Sequence, residues 1–519
     1  MKKILFALLL GAPCVLHAQN VTVKLSNKFS LRDRGLTQKD GATFMWGNFF
    51  YCTETDYKGM QFAYTAKLEK VKYAVNIYKY DAEMKELQKA SLPGGFSLGP
   101  FPPSSILFNG KIVLVYYNVL EKGAIQLMYS VVDPETLGMS AGKELYVISE
   151  KNVGLFKLGQ VFTNNKLHLR VSPDSSKLLV VQAGNTNEMV ACIINKDMEA
   201  GKAVISKVKP NMEDFTVQDA VMDNAGNKYF TYSFTEDKTI KNGVLIQNNN
   251  GKDAFLSFKS TQDGQDPGTL FVKLSRDNTK VYVFGASVGE FLEEGVMLAT
   301  VDAASLKLGK QQLFPYPQDL RERLYKNDFA DKKHGNYSVK KAFYVYHEMA
   351  DGTVVLTGYP INVVTGTHMG RNNLPAGTYS FYYAGPILNI FVKDGKGRFG
   401  VVYRNQEMGH GSAPLIVPYG DKLLCIYYDS EKGLASDKPE HTDKRRDAGE
   451  LVLAMAVLGN DGSLISRKKL LDRVGSSVFM TNHQQSLTGN TYLVPVGHDR
   501  VNLTRYYTEV EQWATLEVN

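Results

Sequence analysis

The feature that most constrains this chain is a hairpin that recurs along it. Each copy is a strand, a tight turn rich in Gly, Asn, Asp or Ser, and then an apolar strand. The clearest copy is VSPDSSKLLVV at Val171–Val181. Others are SRDNTKVYVF from Ser275, MDNAGNKYFTY from Met222, FNGKIVLVYY from Phe108, MADGTVVLT from Met349, PYGDKLLCIYY from Pro418 and TGNTYLVPV from Thr488. A weaker copy, WGNFFYC, starts at Trp46. Gly, Asn and Asp supply the positive φ angles such turns need. Spaced recurrence of an all-β unit predicts a propeller, whose blades are four antiparallel strands, a to d. The apolar runs, such as Leu178–Val181, Val281–Phe284 and Leu423–Tyr428, are unbroken, so each b strand is expected to be covered on both faces.

A second signal marks the c-to-d hairpin: VDPETLG at Val132 and VDAASLKLG at Val301, with looser copies at Lys79, Ile194 and Val457. Together the two signals predict a single closed, all-β propeller of eight blades, with seven as the alternative count. The blades centre on residues 44–92, 105–148, 168–208, 215–259, 269–315, 342–404, 413–471 and 478–518. The last range holds only three strands. Val21–Leu25 (VTVKL) is expected to supply the fourth by pairing with QWATLEV at the C-terminal end, closing the ring and removing exposed edges.

VSPDSSKLLVV resembles the repeat of TolB-type propellers, whose blades begin with a Ser-Pro-Asp turn. SRDNTKVYVF matches in part, with Arg276 in place of the proline. The stretch Tyr379–Lys432, with YYAGPILNIFVKDGKG and GDKLLCIYYDSEKG, is similar to large secreted propellers of Bacteroidota. Both resemblances imply a propeller and neither implies an activity.

Residues 1–18, MKKILFALLLGAPCVLHA, combine two lysines, an apolar run and a small residue before the cut, which predicts a secretory signal peptide. The propeller then occupies 19–519, exported to the periplasm or the cell exterior. No later run approaches the length of a membrane helix, and no transmembrane segment is expected. The formal charge of +7 over 519 residues, with no basic run interleaved with aromatics, argues against a nucleic-acid partner. Cys52, Cys192 and Cys425 are odd in number and lie in apolar strands, so they are expected to be unpaired and buried.

Catalytic patterns are present only as fragments. Gly285-Ala-Ser287-Val-Gly289 matches a nucleophile elbow, but a strand resumes at once and no α/β domain surrounds it. Gly395-Lys-Gly397-Arg-Phe-Gly400 matches a dinucleotide fingerprint without the helix that would receive a pyrophosphate, and reads as a hairpin turn. His347-Glu348 lacks a second histidine at helical spacing. Hence no catalytic residue, metal or cofactor is assigned. The aromatic pairs Tyr116-Tyr117, Tyr382-Tyr383, Tyr427-Tyr428 and Tyr506-Tyr507 read as core, with sugar stacking as the alternative.

Strand direction points to a working surface. The b–c and d–a loops share one face of a propeller, and the insertions Pro317–Lys341, Val364–Tyr379 and Asp429–Glu450 all fall there. His334, His368, His410, His441 and His498 are expected in loops of that face. His368, Arg371, His410, His498 and Arg500 are the candidate ligand contacts. The leading expectation is an exported, monomeric, non-enzymatic propeller that binds a protein, peptide or glycan there. The alternatives are a polysaccharide hydrolase or lyase on the same scaffold, and a structural subunit of an envelope assembly.

Overall fold

A computed structural model of the chain describes residues 21–25, 29–31, 43–46, 49–56, 71–72, 74–81, 85–91, 97–98, 104–119, 125–148, 166–183, 188–207, 213–236, 239–249, 253–258, 266–288, 293–302, 305, 307–320, 339–369, 375–384, 386–404, 414–434, 451–472, 491–503 and 506–518. Nearly all of these residues are β-strand. The strands form eight antiparallel sheets of four or five strands, met in chain order, plus a two-stranded pair, Val71–Lys72 with Ser97–Leu98. Sheets one to seven span residues 43–91, 104–148, 166–207, 213–257, 266–315, 339–402 and 415–471. The eighth combines Thr491–Leu503 and Tyr506–Val518 with Val21–Leu25 and Phe29–Leu31.

The apolar runs explain how the sheets stack. Successive strand residues point to opposite faces, so a fully apolar b strand buries both. In sheet three, Leu178 and Val180 pack with sheet two, while Leu179 and Val181 pack with sheet four. In sheet seven, Leu423, Cys425 and Tyr427 face sheet six, and Leu424, Ile426 and Tyr428 face sheet eight. In sheet two, Ile112, Leu114 and Tyr116 face sheet one, and Val113, Val115 and Tyr117 face sheet three. Similar clusters join sheets four to five and five to six. Each fully buried side chain of this kind contributes about 1.5–3 kcal/mol. The core is thus a series of wedges between neighbouring sheets rather than one centre. The tyrosines of two expected aromatic pairs, 116–117 and 427–428, all lie in these wedges. The side chains of the other two pairs lie outside the described residues.

The N-terminal strand pairs where the sequence placed it. Val21–Leu25 runs antiparallel to the last strand, from Val21 opposite Val518 to Leu25 opposite Ala514. Phe29–Leu31 continues along the same edge. The leader expected at residues 1–18 lies outside the described residues. No helix among the described residues is long and apolar enough to cross a membrane.

The turns follow the recurring motif. Every described residue with positive φ, from Asn109 to Gly462, sits in an a–b or c–d turn. In the first matched repeat, Ser172 Oγ donates to Asp174 (2.6 Å), which accepts from the Ser176 amide (3.0 Å), and the Lys177 amide donates to Ser172 Oγ (3.0 Å). In SRDNTK, Ser275, Asp277, Thr279 and Lys280 repeat this at 2.6, 3.0 and 2.9 Å. Serine and aspartate therefore build the turn, and the proline that Arg276 replaces is dispensable. Hydrogen bonds hold both carboxyls at about 2, led by Ser172 on Asp174 and by Ser275 on Asp277.

Asp133 and Asp351 in other turns are also held at about 2, chiefly by Lys111 and Lys393. A folded pKa depressed below the unfolded value gives stability that is present above the unfolded pKa and lost as pH falls through the folded one. The denaturation midpoint is expected to hold above about pH 5 and to fall between about pH 4 and pH 2. In the Asp174→Asn/Asp277→Asn variant this acid limb should be shallower. An unchanged acid limb would show that the turns are held by other contacts.

Neighbouring turns also bond to one another. The Asp174 amide donates to Asn224 Oδ1 (3.0 Å), the Arg276 amide to Glu348 (2.7 Å), Asn109 Nδ2 to the Lys196 carbonyl (2.9 Å) and Tyr51 OH to the Pro134 carbonyl (2.9 Å). These contacts put the a–b and c–d turns of adjacent sheets on one face and lace that face together. Cys192 and Cys425 are free and buried, with burial pushing both thiols up to about 12. The side chain of Cys52 lies outside the described residues.

Candidate functional site

The face opposite the laced turns carries the b–c connections, and on sheets six to eight these differ from the rest. Strand b of sheet six, Val354–Met369, runs for 16 residues. Its first part pairs with Ile387–Lys393, while Ile361–Met369 pairs with Pro375–Ala384 in a hairpin that extends past the sheet. In sheet eight, Thr491–Leu503 and Tyr506–Val518 form a hairpin laddered down to Leu503 opposite Tyr506. Sheet seven lies between them. Its b strand ends at Ser430 and continues into a short helix, Glu431–Leu434.

The base of that sheet-seven connection is held by ions. Asp429, fully buried, pairs with Arg467 on the outer strand at 2.9 Å; their side chains are 0% and 7% exposed. Arg467 also donates to Tyr427 OH (3.0 Å) and to the Tyr403 carbonyl (2.9 Å), tying sheet seven to sheet six. Lys469 reaches Glu431 at 2.8 Å on the helix itself. Burial pushes the Tyr427 phenol up to about 12. Chain leaving this sheet therefore departs from a fixed root.

The sequence-derived residues are placed as follows. His368 stands in strand Val354–Met369, with Gly377 opposite. His498 and Arg500 stand in strand Thr491–Leu503, opposite Glu511 and Glu509. The expectation that His368 and His498 occupy loops is corrected: both insertions continue the ladder as hairpins, because their Val, Thr and Tyr residues fit a pleated backbone. Arg371, His410, His334 and His441 lie outside the described residues, as do the side chains of His368, His498 and Arg500. Ser287 of the elbow-like pattern is 1% exposed within strand Val281–Val288. Its neighbour Gly285 is required because a Cβ there would lie 2.4 Å from the Thr269 carbonyl oxygen. Gly395 sits in the two-residue turn Asp394-Gly395, both at positive φ. Among the described residues no cluster of His, Cys, Asp or Glu could hold a metal ion.

A second polar constellation was not anticipated. The first strands of sheets three, four and five lie side by side and carry Arg170, Asp219 and Lys273. Asp219 is 3% exposed and accepts from Arg170 Nη2 (2.7 Å), Lys273 Nζ (3.2 Å) and the Ala220 (2.9 Å) and Val272 (3.3 Å) amides. Burial alone would raise its carboxyl. Lys273 and Arg170 outweigh that and hold it at about 2. His168 stands next to it, a ring nitrogen 3.3 Å from the Val217 carbonyl oxygen. His347 on the first strand of sheet six is pushed down to about 4 by burial, so it is neutral at physiological pH.

No family model matches the chain, and no curated protein does, so neither sequence resemblance gains support. Among solved structures, the polysaccharide lyase Uly1 matches at 9% identity over 95% of this chain and 99% of its own, with a TM-score of 0.42. A thermostable family-43 glycoside hydrolase matches at 13% identity over 56% of this chain and 98% of its own, TM-score 0.24. A Synechocystis apocarotenoid oxygenase matches at 9% identity over 88% and 94%, TM-score 0.35. The expectation of a non-enzymatic binding protein is corrected on this finding: the matched structures are those of enzymes, two of them carbohydrate-active by name. At such identities and TM-scores, none of them assigns a residue, a substrate or a reaction step to this chain.

Proposed function

We propose that the eight sheets close into one eight-bladed ring, and that the chain is a polysaccharide lyase or hydrolase working on the b–c face of blades six to eight. The observation that carries the reading is the pair of extended hairpins on sheets six and eight, standing on either side of the rooted connection of sheet seven. Two hydrogen-bonded hairpins with a connection between them suit a polymer laid across several blades better than a small molecule held in a pocket. Pairing of Val21–Leu25 with the last strand supports closure.

In this reading His368 and His498 act as acid or base, since imidazole titrates near neutral pH. Arg371 and Arg500 offer planar forks for the carboxylates of an acidic sugar chain. His410, in the chain between sheets six and seven, is the remaining candidate contact of this reading. The chain would be exported, as its first residues suggest.

The test is a panel of acidic and neutral polysaccharides incubated with the full chain. An ultraviolet chromophore from unsaturated uronate marks a lyase, and new reducing ends without it mark a hydrolase. A variant with 436–448 replaced by a short Gly/Ser linker keeps Asp429, Glu431 and both their partners. It is expected to melt within a few degrees of the parent and to lose at least about tenfold in kcat/KM, as for a lost positioning element. No product from any polysaccharide would end the enzyme reading, and full activity in the shortened variant would place the site on another face.

A further inference from the structure

We propose that Arg170 and Lys273 form an oxyanion-binding site on the first strands of sheets three and five, toward the laced-turn face and separate from the b–c cleft. The charge count is the first argument. Two cations share one carboxylate, Asp219, and the trio carries a net positive charge. The Asp429–Arg467 pair shows what a structural ion pair looks like in this fold: both side chains are nearly inaccessible. Around Asp219 only the carboxylate is buried. The side chains of Arg170 and Lys273 are 37% and 36% exposed.

The second argument is the donors that remain. Arg170 spends Nε on the Ala220 carbonyl and one Nη1 hydrogen on the Leu169 carbonyl, both at 3.0 Å, and one Nη2 hydrogen on Asp219. Three of its five N–H groups are used, which fixes the guanidinium plane and leaves one hydrogen on each terminal nitrogen. Lys273 donates to Asp219 at 3.2 Å, one of its three hydrogens. Asp219 also accepts from Arg170 and two backbone amides, so Lys273 helps to hold its charge with one hydrogen and keeps two for a ligand. A preset fork with an ammonium beside it on the same carboxylate is the arrangement that takes a phosphate, sulfate or carboxylate group.

The third argument comes from the repeat. Arg170 and Lys273 occupy the same place in the two matched units, two residues before Ser172 and Ser275. The sheet between them contributes the acid. Two copies of one motif thus set two cations around a neighbour's carboxylate.

The test is thermal unfolding of the full chain titrated with inorganic phosphate, against chloride at matched ionic strength. Phosphate should raise the melting temperature saturably, because a ligand of the folded state stabilises it by mass action. Lys273→Gln should fold, by circular dichroism, and bind phosphate at least about tenfold more weakly, the size expected for one charged hydrogen bond. Lys273→Arg should retain binding. Acetate saturating below phosphate would assign a carboxylate ligand, and the reverse order a tetrahedral one. Either no phosphate response in the parent, or an equal response in Lys273→Gln, would overturn the proposal and leave the trio as a strut.

Discussion

Replacing Arg467 with methionine is expected to cost about 3–5 kcal/mol of stability, read as a lower denaturant midpoint. Asp429 is fully inaccessible and loses the guanidinium 2.9 Å away, while Tyr427 OH and the Tyr403 carbonyl lose donors. A carboxylate in such a place shifts its pKa upward, because burial disfavours the charged form. The sign then follows. With the folded pKa above the unfolded one, the charge part of the deficit is full above the raised folded pKa and disappears as pH falls below the unfolded value near 4, leaving the smaller loss of the two hydrogen bonds. The double variant Asp429→Leu/Arg467→Met should recover most of the loss, since replacing both partners of a buried pair is often close to neutral. A single-variant cost below about 1 kcal/mol, independent of pH, would mean that the pair is not isolated from solvent. The pair also roots the connection between the two hairpin walls, so the recovered double variant asks whether that root must be polar.

How far the sequence reaches depends on what each signal encodes. The turns were legible because positive φ has few solutions: Asn109-Gly110, Gly226, Gly352 and Gly420 announce themselves. Leu137 and Met198 adopt positive φ too, and nothing in their side chains says so. Sheet stacking was legible because an unbroken run such as Leu178–Val181 must be buried on both faces. The extended hairpins were read as loops since Gly366, Pro375 and Gly377 interrupt the pattern, although Val363, Val364, Thr365 and Thr367 are good strand residues. Length misled as well: 16 residues exceed what one blade strand needs.

The charged clusters were hidden for a different reason. Arg170, Asp219 and Lys273 each look like a solitary charge near the end of an apolar strand, and their partners lie about fifty residues away in sequence. Only folding brings them together. A signal did exist, in the matching positions of Arg170 and Lys273 within the repeats RVSPD and KLSRD. Asp429 and Arg467 offer no such alignment, and their pairing across an intervening strand is a property of the packed sheet.

A chain beginning after Leu31 is expected to lose the cooperative fold at physiological temperature. Val21–Leu25 and Phe29–Leu31 pair along one edge of strand Tyr506–Val518, with 514–518 and 509–511 respectively. Without them the backbone from Glu509 to Val518 presents unpaired amides and carbonyls, the sort of edge that aggregates. Val21 and Val23 also pack against the cluster holding Leu516, Val518, Leu424, Ile426 and Tyr428, so their removal opens the wedge between sheets seven and eight. Both valines are partly buried, so each adds less than the roughly 1.5–3 kcal/mol of a fully buried side chain, and the lost ladder adds to that in a fold whose net stability is a small difference. The measurement is a thermal melt with light scattering of the truncated chain, then repeated with a synthetic peptide of residues 19–31. Peptide should restore a sharp transition at a concentration-dependent temperature, because pairing is now bimolecular. A peptide with Val21 and Val23 changed to serine should not, since the ladder without the two side chains leaves the wedge open. A truncated chain that melts like the parent would show that the last sheet holds without its N-terminal strand, and with that the proposal that this strand closes the ring would go.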